Sequence, residues 1–168
     1  MTKSKVDLVC GWLEKARRDL ITAERGLGAE SPFTDIVCFH AQQATEKYLK
    51  AYLLWHEIEF PRTHALEDLV LLAAEKDRGF LQLKNEATTL TPYAVETRYP
   101  EFEVPLLEDA RETVRIAGSI RDVVLTKLPK MCTETRCPPP SIGSQQGYRR
   151  AEARKHEEQR SDPKRRLT

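Results

Sequence analysis

The sequence has no apolar run long enough to cross a bilayer, which excludes a membrane-spanning helix and a membrane partner. Its opening, MTKSKVDLVCGWLEKARRDL, turns charged too early for a secretory leader, so a cytoplasmic location is expected. No stretch reads convincingly as a strand, and no segment repeats another. Cysteine is scarce, with four residues, and none sits in a paired ligand motif. Cys10 and Cys38 fall within helical patterns and read as buried thiols, while Cys132 and Cys137 stand at CxxxxC spacing near the end. Neither a metal nor a cofactor is expected, and a reducing compartment disfavours structural disulfides.

An excess of one charge sign is missing too, since 27 Lys and Arg face 26 Asp and Glu. The balance is not local. Residues 130–168 carry ten Lys or Arg against five Asp or Glu, so the net charge of +1 conceals a mildly acidic body with a basic appendage. From Pro129 onward large apolar residues nearly vanish while Pro, Ser, Gln and charge accumulate, the composition of a disordered tail. The expected organisation is one domain over residues 1–129 and a disordered basic tail over residues 130–168, within a length that suits a single core.

What is present is helical periodicity. Val6, Val9, Leu13, Ala16, Leu20, Ala23 and Leu27 follow 3,4 spacing, which predicts a first amphipathic helix stopped by Gly26 and Gly28. Ser31 is the expected N-cap of a second helix, with Pro32 at its first position. That second helix, from Phe33 to His56, is apolar on more than one side and must be surrounded by others. Thr63 is the expected cap of a third helix carrying Leu66, Leu69, Val70, Leu72 and Ala73, and Phe80 to Leu90 predicts a further short one. Residues 91–105 have three prolines and no helical period, an ordered loop of a length that is often functional. The last helix carries Leu107, Ala110, Val114, Ala117, Val124 and Leu128 at a/d spacing and ends at Pro129. The fold class is therefore all-α, an antiparallel four-to-five-helix bundle.

Three sets of residues suggest chemistry. His40, Gln43 and Lys47 form a narrow polar stripe on the second helix, with Lys50 at the next turn. Donors at that spacing point the same way and suit a phosphate or a nucleotide edge. The structural alternative is a solvated Glu46–Lys50 pair with Gln43 capping a neighbouring carbonyl. In TPYAVETRYP, Tyr93, Arg98 and Tyr99 combine a forked cation with aromatic faces, a set that grips phosphate while stacking a base. Equally, Tyr93, Val95 and Tyr99 can plug the end of the bundle while Arg98 pairs with Glu96, Glu101 or a helix-end carbonyl. Arg62 and His64 flank the start of the third helix, where an anion is favoured, although a His there is also simply solvated. Lys47 and Arg98 make one site only if the loop folds back over the stripe.

Taken together, FHAQQATEKYLKAYL, FPRTHALEDL and TPYAVETRYP before a final amphipathic helix resemble the HEPN domain family, over roughly residues 5–128. The resemblance implies a helical bundle, commonly a homodimer, named for nucleotide binding. It also implies a partner, a minimal nucleotidyltransferase, in a toxin–antitoxin or defence pair. Many such proteins are metal-independent ribonucleases whose motif is Arg, four to six residues, then His near the start of the last helix. There the His would act as general base on a ribose 2′-OH and the Arg would stabilise the phosphorane. Arg98 is followed by Tyr99, Pro100, Glu101, Phe102, Glu103, Val104 and Pro105, with no His in range. Arg150 and His156 match the spacing, but in an Arg-rich tail with nothing apolar to preorganise them. The expected role is thus non-catalytic binding of a nucleotide or RNA through His40, Gln43, Lys47, Tyr93, Arg98 and Tyr99. The alternative is a metal-independent ribonuclease with a displaced active site, in which His40 or His64 works with Arg98.

Overall fold

In the computed structural model, which describes residues 4–133, one central helix organises the packing. Six α-helices run in the order α1 (Lys5–Leu27), α2 (Thr34–Trp55), α3 (Leu66–Lys76), α4 (Lys84–Leu90), α5 (Leu107–Lys127) and α6 (Lys130–Thr133). Short 3-10 turns occupy Arg78–Leu83, Thr91–Ala94 and Glu96–Arg98. Among the described residues there is no strand, so the all-α bundle holds. No helix there is long and apolar enough to cross a membrane. Of the expected disordered tail, residues 130–133 form a short helical turn, and residues 134–168, with Arg150 and His156, lie outside the described residues.

From Ala41 to Leu53 every α2 residue is buried except Gln43 and Lys47. Val9, Leu13, Ala16, Leu20 and Ala23 of α1 cover one side of it, and Ala110, Thr113, Ile116, Ala117, Ile120 and Val124 of α5 supply another layer of the core. Gly26 lets the last turn of α1 close on α2, because a Cβ there would meet Val37 Cγ2 at 3.1 Å. Tyr52 packs on Phe80 with ring centroids 4.5 Å apart, which ties the 3-10 turn after α3 to the centre.

Several expected element ends are placed differently. Phe33, not Ser31, is the N-cap of α2, and it offers no side-chain hydrogen bond; instead Thr34 Oγ1 donates to the Pro105 carbonyl at 2.6 Å. Thr63 accepts from Ala65 N in a local turn, whereas the first N–H of α3, on Leu66, donates to Thr91 Oγ1 at 3.0 Å. A residue from a distant turn has taken the capping position. On α5 the buried layer runs through Thr113 rather than Val114, and Leu107 is exposed because it begins the helix beyond the last core layer. Past Pro129 the chain makes one more helical turn, where Cys132 is buried and its carbonyl lies 3.9 Å from Cys10 Sγ.

The C-terminus of α2 closes with Glu57 at φ 59°, the left-handed region. Glu57 N donates to Leu54 O at 3.1 Å and Ile58 N to Leu53 O at 3.0 Å, the paired bonds of a Schellman motif. This turn sends the chain back toward α3.

Candidate functional site

The polar stripe of α2 faces Asp19 of α1. His40 Nδ1 lies 2.9 Å from Asp19 Oδ1, and Lys47 Nζ donates to Asp19 Oδ2 at 2.6 Å and to Gln43 Oε1 at 3.0 Å. The stripe thus comes together as expected, but around a carboxylate of the same chain. The pairing neutralises Lys47 inside the helix interface. Asp19 sits beside Leu20 at the edge of the α1 seam, the position from which a polar side chain reaches across to a neighbouring helix.

Hydrogen bonds carry the network around α2. Gln43 Nε2 donates to Gln42 Oε1 at 2.8 Å, and the fully buried Gln42 donates to Glu46 Oε2 at 3.3 Å. Glu46 also receives Lys50 Nζ on Oε1 at 2.7 Å and lies 2.9 Å from His64 Nδ1 through Oε2. The expected solvated Glu46–Lys50 pair is therefore a buried one, because the α2–α3 connection covers it; Lys50 also donates to Thr63 O and lies over the Phe60 ring. Burial pushes the Glu46 carboxyl up, but hydrogen bonds from Lys50, His64 and Gln42 outweigh it and hold the group below its usual value. His64 itself is 59 % exposed, with Nδ1 on the buried carboxylate. With Nδ1–H given to an ionised carboxylate, a neutral ring keeps Nε2 as an acceptor.

The loop before α5 forms a separate region. Arg98 and Tyr99 are exposed, the guanidinium carbon lying 5.9 Å from the Tyr99 ring centroid. Arg98 makes no ion pair among the described residues. Tyr93 is half-buried against the core, and burial pushes its phenol up, with Cys38, Asp109 and Glu96 adding to the effect. Tyr93 thus plugs the bundle as the structural alternative has it, while Val95 and Tyr99 stay exposed. A cavity of about 420 Å³ opens here, lined by Asp35 and by residues 96–100 and 102–105. Three carboxylates, Asp35, Glu96 and Glu103, face the single Arg98 in it.

The two regions do not meet. Asp35 precedes Lys47 by twelve residues on α2, about 18 Å along the axis at the usual rise per residue. The groove uniting Lys47 with Arg98 is not formed, because the loop packs on the first turns of α2 instead of its middle. Among the described residues, no group of three His, Cys, Asp or Glu side chains is placed to hold a metal ion. Burial pushes the Cys38 thiol up to about 11, which keeps it protonated and inert beside Thr113.

The family profile of the HEPN domain matches residues 9–137, most of the chain. The chain belongs to the HEPN family. Its HEPN bundle is similar to TT1696 from Thermus thermophilus, at 30% identity and a TM-score of 0.63, over 71% of this chain and 98% of that one. It is similar also to ST0689, an archaeal HEPN homologue, at 25% identity and a TM-score of 0.59, over 71% and 96%. No curated protein matches it. Within this HEPN bundle the Arg98 loop enters α5 with no His following it among the described residues. The two His side chains that contact carboxylates among the described residues lie elsewhere, His40 on α2 against Asp19 and His64 against Glu46 of α2. Sequence reasoning missed Asp19 and Glu46 as the anchors of those rings.

Proposed function

We propose that this HEPN protein is a non-catalytic module that binds a nucleotide or an RNA phosphate and works with a minimal nucleotidyltransferase. The setting is a cytoplasmic toxin–antitoxin or defence pair, and the module acts as a homodimer. The observation that supports the reading is Arg98, an exposed guanidinium with no ion pair among the described residues, beside Tyr99 at the mouth of a cavity, with no His to complete a ribonuclease motif. A forked cation next to an aromatic face holds one phosphate and one base. The three carboxylates around it make a single nucleotide a better ligand than a long polyanion.

In this reading Arg98, Tyr99 and Tyr93 make first contact. His40, Gln43 and Lys47 form a second, separate patch, where phosphate has to compete with Asp19 for Lys47. Calorimetric titration of ATP into wild type, Arg98→Ala and Lys47→Ala tests this. Binding weakened most in Arg98→Ala supports it; equal binding in all three, or none in any, removes the site.

One observation favours the ribonuclease alternative. His64 has the arrangement of a general base, Nδ1 on a buried carboxylate and the ring exposed. That reading requires His64 to act without a cation beside the scissile phosphate other than the neighbouring Arg62, and it requires metal-independent cleavage of RNA.

A further inference from the structure

The solvent-exposed large apolar side chains are concentrated at one end of the molecule. Of twelve among the described residues, eight come from residues 33–36 and 95–107. Phe33 is 76 % exposed, Leu106 70 % and Val104 68 %, with Ile36, Phe102 and Leu107 beside them in sequence. The two segments are joined in space: Thr34 Oγ1 donates to the Pro105 carbonyl, and Asp35 lines the same cavity as Phe102, Val104 and Pro105. Exposed apolar side chains gathered at one end, with polar residues among them, mark an interaction surface.

The charge around this surface is one-sided. Asp35, Glu96, Glu101 and Glu103 lie on the same two segments, with Arg98 as their single cation, and Glu108 and Asp109 follow directly on α5. Asp109 is engaged as the cap of α5, accepting from Leu106 N at 2.9 Å. The others leave an acidic rim around an apolar centre.

We infer that this end of the bundle docks a partner protein that presents a basic amphipathic helix, its apolar face over Phe33, Ile36, Val104 and Leu106 and its Lys or Arg on the rim carboxylates. The inference rests on the reading of the chain as a module that acts through a partner; the docking face adjoins the cavity of Arg98 and Tyr99, whereas Phe33 and Leu106 lie outside the lining of that cavity. A second copy fits poorly, because an isologous contact sets each acidic rim against itself. The chain's own tail also fits poorly: residues 134–168 hold many Lys and Arg, but Ile142, Tyr148 and Leu167 are their only large apolar residues.

The probe is a short synthetic helix with leucine on one face and lysine on the other, titrated into the full chain and followed by amide NMR. The expected result is shifts confined to residues 33–36 and 95–107. Binding should weaken roughly tenfold in the exposed-site double variant Phe33→Ser, Leu106→Ser, and it should fall as salt rises. Equal binding of a leucine–glutamate helix, shifts elsewhere, or unchanged binding by the double variant overturns the inference. So does light scattering in which a wild-type dimer becomes monomer in the double variant, which gives the face to a second copy. ATP titration of the same variant separates the two readings, since its loss of helix binding with ATP binding intact leaves the nucleotide site standing.

Discussion

Lys47 Nζ and Asp19 Oδ2 meet at 2.6 Å across the α1–α2 interface, with His40 held by the other oxygen of the same carboxylate. One acidic side chain therefore accounts for two of the three members of the polar stripe. Removing it leaves the partly buried ammonium its bonds to Gln43 but takes away its counter-charge, and it takes the carboxylate from the imidazole. Asp19→Ala should cost roughly 1–2 kcal/mol of stability, read from urea unfolding. Lys47→Met, which also fills the space with apolar atoms, should cost less. If Asp19→Ala unfolds at the wild-type midpoint, the stripe is not a packing device.

Glu46 gives a pH dependence with a definite sign. Its carboxyl is held below the usual value in the folded chain, so its stabilising contribution is present above the unfolded value and is lost as pH falls through the folded one. Stability should drop on acidification from about pH 5 downward, and Glu46→Gln should flatten that part of the profile. The same substitution leaves Lys50 buried without a counter-charge, which should cost about 3 kcal/mol at neutral pH. Thermal unfolding of both proteins across the acid range measures the two effects together.

The helices were legible because their signals are local. The 3,4 spacing of Val9, Leu13, Ala16, Leu20 and Ala23 fixes a buried seam with no knowledge of its neighbour, and those residues are the buried face of α1. What was not legible depends on residues far apart in the chain. Thr63 reads as the cap of α3 from its position, yet Thr91 bonds the Leu66 N–H from a turn 25 residues away. Glu46 and Lys50 read as a surface pair at i, i+4 spacing, and only the return of the chain at Phe60 to His64 buries them. Sequence places Lys47 and Arg98 on elements that can meet, but where along α2 the loop settles is decided by packing around Thr34 and Pro105.

Glu57 carries backbone strain that glycine would relieve. A non-glycine residue at φ 59° is disfavoured by its Cβ, and the Schellman hydrogen bonds remain available to glycine. Among the described residues, the side-chain hydrogen bond lost is the exposed one from Lys5. Glu57→Gly should raise the melting temperature by roughly 2–4 °C, and a fall in calorimetry would show that the Lys5 contact outweighs the strain.

Whether the chain is a binding module or a nuclease is decided most directly by incubating the purified full-length protein with single-stranded RNA in the presence of a metal chelator. The non-catalytic reading predicts RNA that stays intact over the whole time course, for wild type and for His64→Ala alike. Cleavage by wild type that disappears in His64→Ala, with the fold of the variant retained by circular dichroism, would contradict it.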